Sequence, residues 1–292
     1  MRRAVRCTGV IQAKLFIKRS SKLLQLEALA ESAIVTATSK FSLARRLRAG
    51  EVVYSAWCGL PYPNVVETIA REGFTAVTLD QQHGLWDTAS TMQAIGAVHL
   101  AGSAPLVRVP LGQNAMVSRA LDFGAEGLIA PMINSAADAR AFAAAAKYPP
   151  IGERSLGAHR AAALAGFPDQ RPYLVTANQD TLAFAMIETR AALDNVDAIV
   201  NTPGIDGLFI GPSDLSYSLT NGAVLDAHSA KVEKGLEIVL TACKNAGKIP
   251  GLYCIDAARA AAKAKAGFRF LTVGSDLAFL RSGTAAQLKG LK

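Results

Sequence analysis

From residue 44 onward, short β-branched and apolar runs alternate with longer Ala-rich stretches whose apolar positions recur at helical spacing. Apolar runs without polar alternation suit strands buried on both faces, and intervening helices return the chain in the same direction, so the pattern predicts βα units and a parallel sheet. Eight runs qualify: VVYSAW (52–57), TAVTLD (75–80), PLVRVP (105–110), GLIAPM (127–132), LAFAMIE (182–188), DGLFIG (206–211), IPGLYC (249–254) and FRFLTV (268–273). NVVETIAREG, TASTMQAIGAVH, AMVSRALDFG, AADARAFAAAAK, ALDNVDAIV, AKVEKGLEIVLTACKNAG, AARAAAKAKAG and DLAFLRSGTAAQLKG read as helices, several ending on the Gly that closes a helix. Eight strands alternating with helices over about 250 residues predict an α/β fold of the (β/α)8 TIM-barrel type. The rival, a doubly wound open sheet, lacks a GxGxxG turn after the first strand.

The opening of the chain breaks this pattern. Residues 1–43 mix basic residues with short apolar runs and hold eight Lys or Arg against two Glu, which is +6 of the net +8. The chain is therefore read as a basic N-terminal extension (1–43), either a docking or targeting arm or a flexible appendage, followed by a barrel domain (44–292). With that extension set aside the body is nearly neutral, which argues against a nucleic-acid-binding face. No window reaches the roughly 18 apolar residues of a bilayer span and no signal-peptide pattern opens the chain, so a cytoplasmic protein without a membrane partner is expected. Cys7, Cys58, Cys243 and Cys254 show no CxxC spacing. Ordinary buried thiols in a reducing compartment fit them.

In such a barrel the loops after the strands build the reactive face, so chemistry is sought at the C-terminal strand ends. Trp57 closes the first strand, Asp80 the second with His83 just beyond, Arg108 lies near the end of the third, Glu188 ends the fifth and Asp214 follows the sixth. Adjacent strands lie about 4.8 Å apart, so Glu188 and Asp214 can share one Mg²⁺, Mn²⁺ or Co²⁺. Alternatively each acid caps its following helix or pairs with a base such as Arg190. Arg108, inside LVRVP, must be paired or face a cavity, where its fork can bind a substrate oxygen. The imidazole of His83 can take and return a proton near neutrality. Gly211, Pro212 and Ser213 open the GPSDLS turn, whose backbone amides can bind a carboxylate. In VGSDLAFL (273–280) the same chemistry reads as helix capping by Ser275 or Asp276. Asp80 is a candidate to orient His83 or bind a substrate hydroxyl, Trp57 to contact substrate, and Trp86 to wall the pocket or meet another subunit.

AWCGLPYP, GFTAVTLDQQHG, PLVRVP, ALDFGAEGLIAPMINSAADA, KYPPIGERSLG, AMIETRAALDN and GIDGLFIGPSDLSYSL occur in an order and spacing that resemble the HpcH/HpaI class II aldolases. The resemblance runs from about residue 44 to the end and implies a (β/α)8 barrel that assembles as a homohexamer, or trimer of dimers, by exchanging its last helix. It further implies a divalent-metal-dependent lyase that makes or breaks carbon–carbon bonds with pyruvate. By alignment, Glu188 and Asp214 bind the metal, His83 is the general base, Arg108 stabilises the enolate, and Asp122 of LDFGA pairs with the base. Placement near the end of the third predicted helix sets Asp122 towards the opposite face from the others. Gln82 and Met186 depart from the family's usual "EH" and "QIE", in the direction of a subgroup acting on small hydroxy-keto acids. The activity so implied is cleavage of a 4-hydroxy-2-keto acid to pyruvate, or hydroxypyruvate, and an aldehyde, without a Schiff-base lysine. Oxaloacetate decarboxylation, CoA-ester cleavage and non-catalytic keto-acid binding are the rival readings.

Overall fold

The computed structural model of the protein describes residues 38–291. Its eight strands, β1 (Val53–Cys58), β2 (Ala76–Asp80), β3 (Ala104–Arg108), β4 (Gly127–Ala130), β5 (Leu182–Ile187), β6 (Gly207–Ile210), β7 (Ile249–Cys254) and β8 (Phe270–Ser275), close into a barrel in sequence order. All pairings are parallel, β8 onto β1 included. Each of the eight runs read from the sequence is a strand, with ends that move by a few residues: β4 stops at Ala130, before Pro131, which has no N–H to offer the ladder.

The surrounding helices are α1 (Leu43–Arg48), α2 (Pro63–Arg71), α3 (Thr88–Leu100), α4 (Asn114–Phe123), α5 (Ala136–Ala146), α6 (His159–Leu164) and α7 (Gln170–Asp180). They continue with α8 (Arg190–Asp194), α9 (Val196–Val200), α10 (Pro212–Leu219), α11 (Ala230–Ala246), α12 (Ala257–Ala266) and α13 (Asp276–Lys289). The single helix expected over ALDNVDAIV is broken at Asn195 into α8 and α9, and the β4–β5 connection carries α6 and α7, which the apolar pattern did not reveal.

Two apolar layers hold this fold. One fills the barrel interior, where Phe184 and Phe270 stack with ring centroids 5.1 Å apart and Leu106, Ile129 and Phe209 complete the packing. The other joins the outer faces of the strands to the helices, with Val77, Leu128, Leu208 and Leu252 against Val98, Leu121 and Val239. Leu43, Ala44 and Leu47 of α1 belong to the interior layer and stop the N-terminal end of the barrel like a plug. Glu126, just before β4, fixes this plug by accepting the Ser42 and Leu43 amides at 2.9 and 2.8 Å. Phe41 is also buried, and the compact body begins at Ser39, so residues 39–43, assigned by the sequence to the extension, are part of the barrel. At the far end of the chain only Asp276 of α13 is buried. Among the described residues no helix is long and apolar enough to cross a membrane.

Candidate active site

The mouth is built at the C-terminal strand ends. Register pairs Asp80 of β2 directly with Arg108 of β3, and the two side chains meet as a fork, Nε on Oδ1 at 2.8 Å and Nη2 on Oδ2 at 2.7 Å. Trp57 donates its indole N–H to the same Oδ2 at 3.1 Å and lays its ring 4.7 Å from the guanidinium carbon. Burial would raise the Asp80 carboxyl, but the Arg108 fork outweighs it and holds the group below the usual carboxylate range. Arg108 is thus a fixed cation, aimed by a buried anion.

Asp80 also shapes the turn that presents His83. Its Oδ1 accepts the Gln82 and His83 amides at 3.1 and 3.3 Å, and its carbonyl accepts the Gly84 amide at 3.0 Å. A Cβ on Gly84 would fall 2.2 Å from that carbonyl oxygen, so only glycine closes the turn. His83 is left exposed on the rim, lining the cavity. Trp86 does not wall that cavity: it is buried outside the mouth, donating to the Cys58 carbonyl at 2.8 Å, and it pins the loop against the end of β1.

Across the mouth, Ile187 of β5 pairs with Ile210 of β6, so Glu188 and Gly211 stand level on neighbouring strands. Glu188 is 2% exposed, and its Oε1 accepts the Met132 amide at 2.7 Å. Met132 adopts φ 53°, a left-handed conformation costly for a non-glycine residue, and so turns its N–H toward Glu188. A Cβ on Gly211 would lie 2.7 Å from Glu188 Oε2 and 2.6 Å from Met186 Cε, so any side chain there would displace the ends of both. Asp214 projects from the first turn of α10, with Pro212 at its start.

Neither acid caps the helix that follows its strand or pairs with Arg190. The cap of α8 is Thr189, whose Oγ1 accepts the Ala192 amide at 3.0 Å, and Arg190 donates to the Leu219 carbonyl at 2.8 Å. Burial raises the Glu188 carboxyl to about 7, and the charge of Asp214 pushes in the same direction against Met132 and Arg108. A buried carboxylate that resists ionisation beside a second acid fits a site for a cation.

One cavity of about 250 Å³ opens here, lined by Trp57, His83, Arg108, Met186 and the Gly211–Asp214 turn, with Glu188 buried beneath Gly211 beside it. The structure adds Tyr253, which the sequence reading missed although alternation along β7 places it on the inward face with Ile249 and Gly251. Met132 was missed as well, because its contribution is a backbone N–H. Asp122 is not brought into the mouth of its own barrel: it lies in the last turn of α4, ion-paired with Arg154 at 2.6 Å. Helices run antiparallel to the strands, so their last turns lie near the strand starts. Ser275 caps α13 by accepting the Ala278 amide at 3.3 Å, and Asp276 ties the Leu60 amide at 2.8 Å, so the second Gly-Ser-Asp-Leu turn is structural.

A closed parallel barrel with an arginine–aspartate fork, a buried acid past one strand end, a second acid in the turn after the next strand and a rim imidazole has the layout of an enzyme site at the C-terminal ends of the strands. The chain belongs to the HpcH/HpaI aldolase/citrate lyase family, whose model matches residues 54–282. It is 37% identical over 239 residues to a hydroxypyruvate/pyruvate aldolase of Rhizorhabdus wittichii, covering 82% of this chain and 93% of that one. It is 34% identical over 247 residues to a 5-keto-4-deoxy-D-glucarate aldolase of Escherichia fergusonii, covering 84% and 94%. The crystal structure of a family member from Burkholderia cenocepacia superposes with a TM-score of 0.78 at 34% identity, covering 86% of this chain and 99% of that one. The protein is a carbon–carbon lyase of the aldolase type.

Proposed function

We propose that the protein breaks and forms the C3–C4 bond of 4-hydroxy-2-keto acids, with pyruvate or hydroxypyruvate and an aldehyde as the other partners. The observation that carries this reading is the neighbourhood of two acids and one cation: Glu188, buried just past the end of β5, feels the charges of both Asp214 and Arg108, and the latter two line one cavity. The two acids would hold one divalent cation, Mg²⁺, Mn²⁺ or Co²⁺, since oxygen ligands suit these ions. Bound there, the cation supplies Lewis acidity toward the oxygens of the keto acid.

The chain's own groups do the rest. Arg108, held by Asp80, meets the negative charge that develops on the keto oxygen. Backbone amides of the Gly211–Asp214 turn accept the substrate carboxylate. His83 takes the proton of the C4 hydroxyl as the C3–C4 electron pair passes to C3, and it returns that proton in condensation. Protonation at C3 then completes pyruvate. Among the described residues no lysine lines the cavity, so none of them offers a Schiff-base nucleophile there. The names of the R. wittichii and E. fergusonii relatives support a keto acid as the shared substrate class.

Self-association follows as part of this reading. Leu277, Leu280 and Leu288 of α13 are exposed, and an apolar hollow of about 430 Å³ lies between β1, β8 and α12, lined by Tyr54, Phe74, Ala260 and Val273. The α13 of a second copy is the occupant we assign to it. Assembly also offers a role for Asp122, whose side chain is 30% exposed and which would reach His83 of another copy.

The test is release of pyruvate from a panel of 4-hydroxy-2-keto acids, with Mg²⁺ or Mn²⁺ and then with EDTA. Metal-dependent release is the expected outcome. Release from oxaloacetate alone would replace the aldolase with a decarboxylase.

A further inference from the structure

With the acids, Arg108, His83 and the Gly211–Asp214 amides assigned, the polar side-chain groups of the cavity left without a task are the Ser213 hydroxyl and the Tyr253 phenol. Ser213 is exposed on the turn, whereas Tyr253 is wedged. Register pairs Leu252 with Ile210, which puts Tyr253 level with Gly211 and therefore with Glu188. Its ring stands edge-on to Trp57, centroids 5.3 Å apart and planes at 89°. That indole is itself fixed, by its hydrogen bond to Asp80, by Arg108 over its ring and by Phe209 stacked at 5.9 Å.

A ring held this way carries its hydroxyl at a set height in the mouth. Among the described residues it has no protein hydrogen-bond partner, and it opens onto the cavity. Burial raises the phenol above its usual range, so it stays an O–H donor at neutral pH. A fixed and uncommitted donor among groups that all have assignments is what a hydroxyl-recognising site requires.

We propose that Tyr253 is a specificity determinant that donates a hydrogen bond to an aliphatic hydroxyl of the substrate. The inference rests on the aldolase reading and deepens it: the site selects hydroxylated partners. The hydroxyl belongs either to the keto acid, favouring hydroxypyruvate over pyruvate, or to the aldehyde, favouring glycolaldehyde over acetaldehyde. A site with a donor placed for a substrate hydroxyl discriminates against the analogue that lacks it, because the donor is then left unpaired.

Tyr253→Phe removes one oxygen and keeps the packing on Trp57. The experiment measures kcat/KM for condensation in the four pairings of pyruvate or hydroxypyruvate with glycolaldehyde or acetaldehyde, in wild type and variant. The preference for the hydroxylated partner is expected to fall about tenfold, mainly through KM, in the arm whose hydroxyl Tyr253 contacts, which separates the two sources. Unchanged preference in both arms overturns the inference while leaving the aldolase intact. A wild-type protein that condenses none of the pairs removes the aldolase reading and this inference with it.

Discussion

At the scale of the residue, the site is organised by charges placed where water is scarce. Asp80 binds Arg108, Trp57 and the His83 turn at once, so on the proposed reading it positions groups that would act on substrate without needing to touch it. Asp80→Asn keeps the shape but leaves a buried guanidinium without its counter-charge. Loss of about 3 kcal/mol in urea unfolding and a roughly hundredfold fall in kcat are expected. Glu188 makes a pH-dependent case. Its folded carboxyl titrates near 7 against an ordinary 4.5, so the folded state holds the extra proton between these values. The stability this confers is whole below pH 4.5 and lost as pH rises through about 7. In metal-free protein, Glu188→Gln is therefore expected to match wild type near pH 4.5 and to exceed it at pH 8 by on the order of 2 kcal/mol, read from denaturation curves. A flat difference across that range would contradict the burial argument. The glycine of the His83 turn has the opposite logic: Gly84 matters for the atom it lacks, since a Cβ there would strike the backbone of Asp80 and Gly59.

At the scale of the element, α1 closes the end of the barrel opposite the mouth. Leu47→Ala should cost about 2–5 kcal/mol through the cavity it leaves among Val53, Ala76 and Leu182, lowering Tm while leaving KM for the keto acid unchanged. A changed KM would mean that the two ends of the barrel are coupled. The eight strands were legible because five are buried at every position and β1, β7 and β8 at most of theirs, so each reads as a largely apolar run with little polar alternation to dilute it. The helix α1 was not, since its LARRLR carries three arginines beside the basic extension and shows its apolar face only once the barrel end supplies a partner. Helices α6 and α7 escaped for a similar reason: Tyr173, Ala161 and Ala177 pack into a satellite cluster with Phe41 instead of onto the strands. Of the site, the charged side chains could be read from their places at strand ends. The Met132 N–H could not, because a backbone donor leaves no mark in residue type, and the same holds for the wedge that fixes Tyr253.

At the scale of the whole molecule, the exposed leucines of α13 and the hollow beside β1 and β8 make assembly part of the account. Removing residues 276–292 is expected to shift the protein to a smaller species in light scattering coupled to size exclusion, with turnover falling at least tenfold if Asp122 serves a neighbour's base. An unchanged mass would show that α13 does not join copies. On the proposed reading, a divalent cation held by Glu188 and Asp214 would draw electrons from a keto acid in the barrel mouth, whatever aldehyde is used. The most direct measurement needs no aldehyde: exchange of the methyl protons of pyruvate for deuterium in D2O, followed by proton NMR. Exchange that requires Mg²⁺ or Mn²⁺, stops with EDTA and is lost in Glu188→Ala is the result this account expects. Exchange that persists with EDTA or in the variant, or none under any condition, would contradict it.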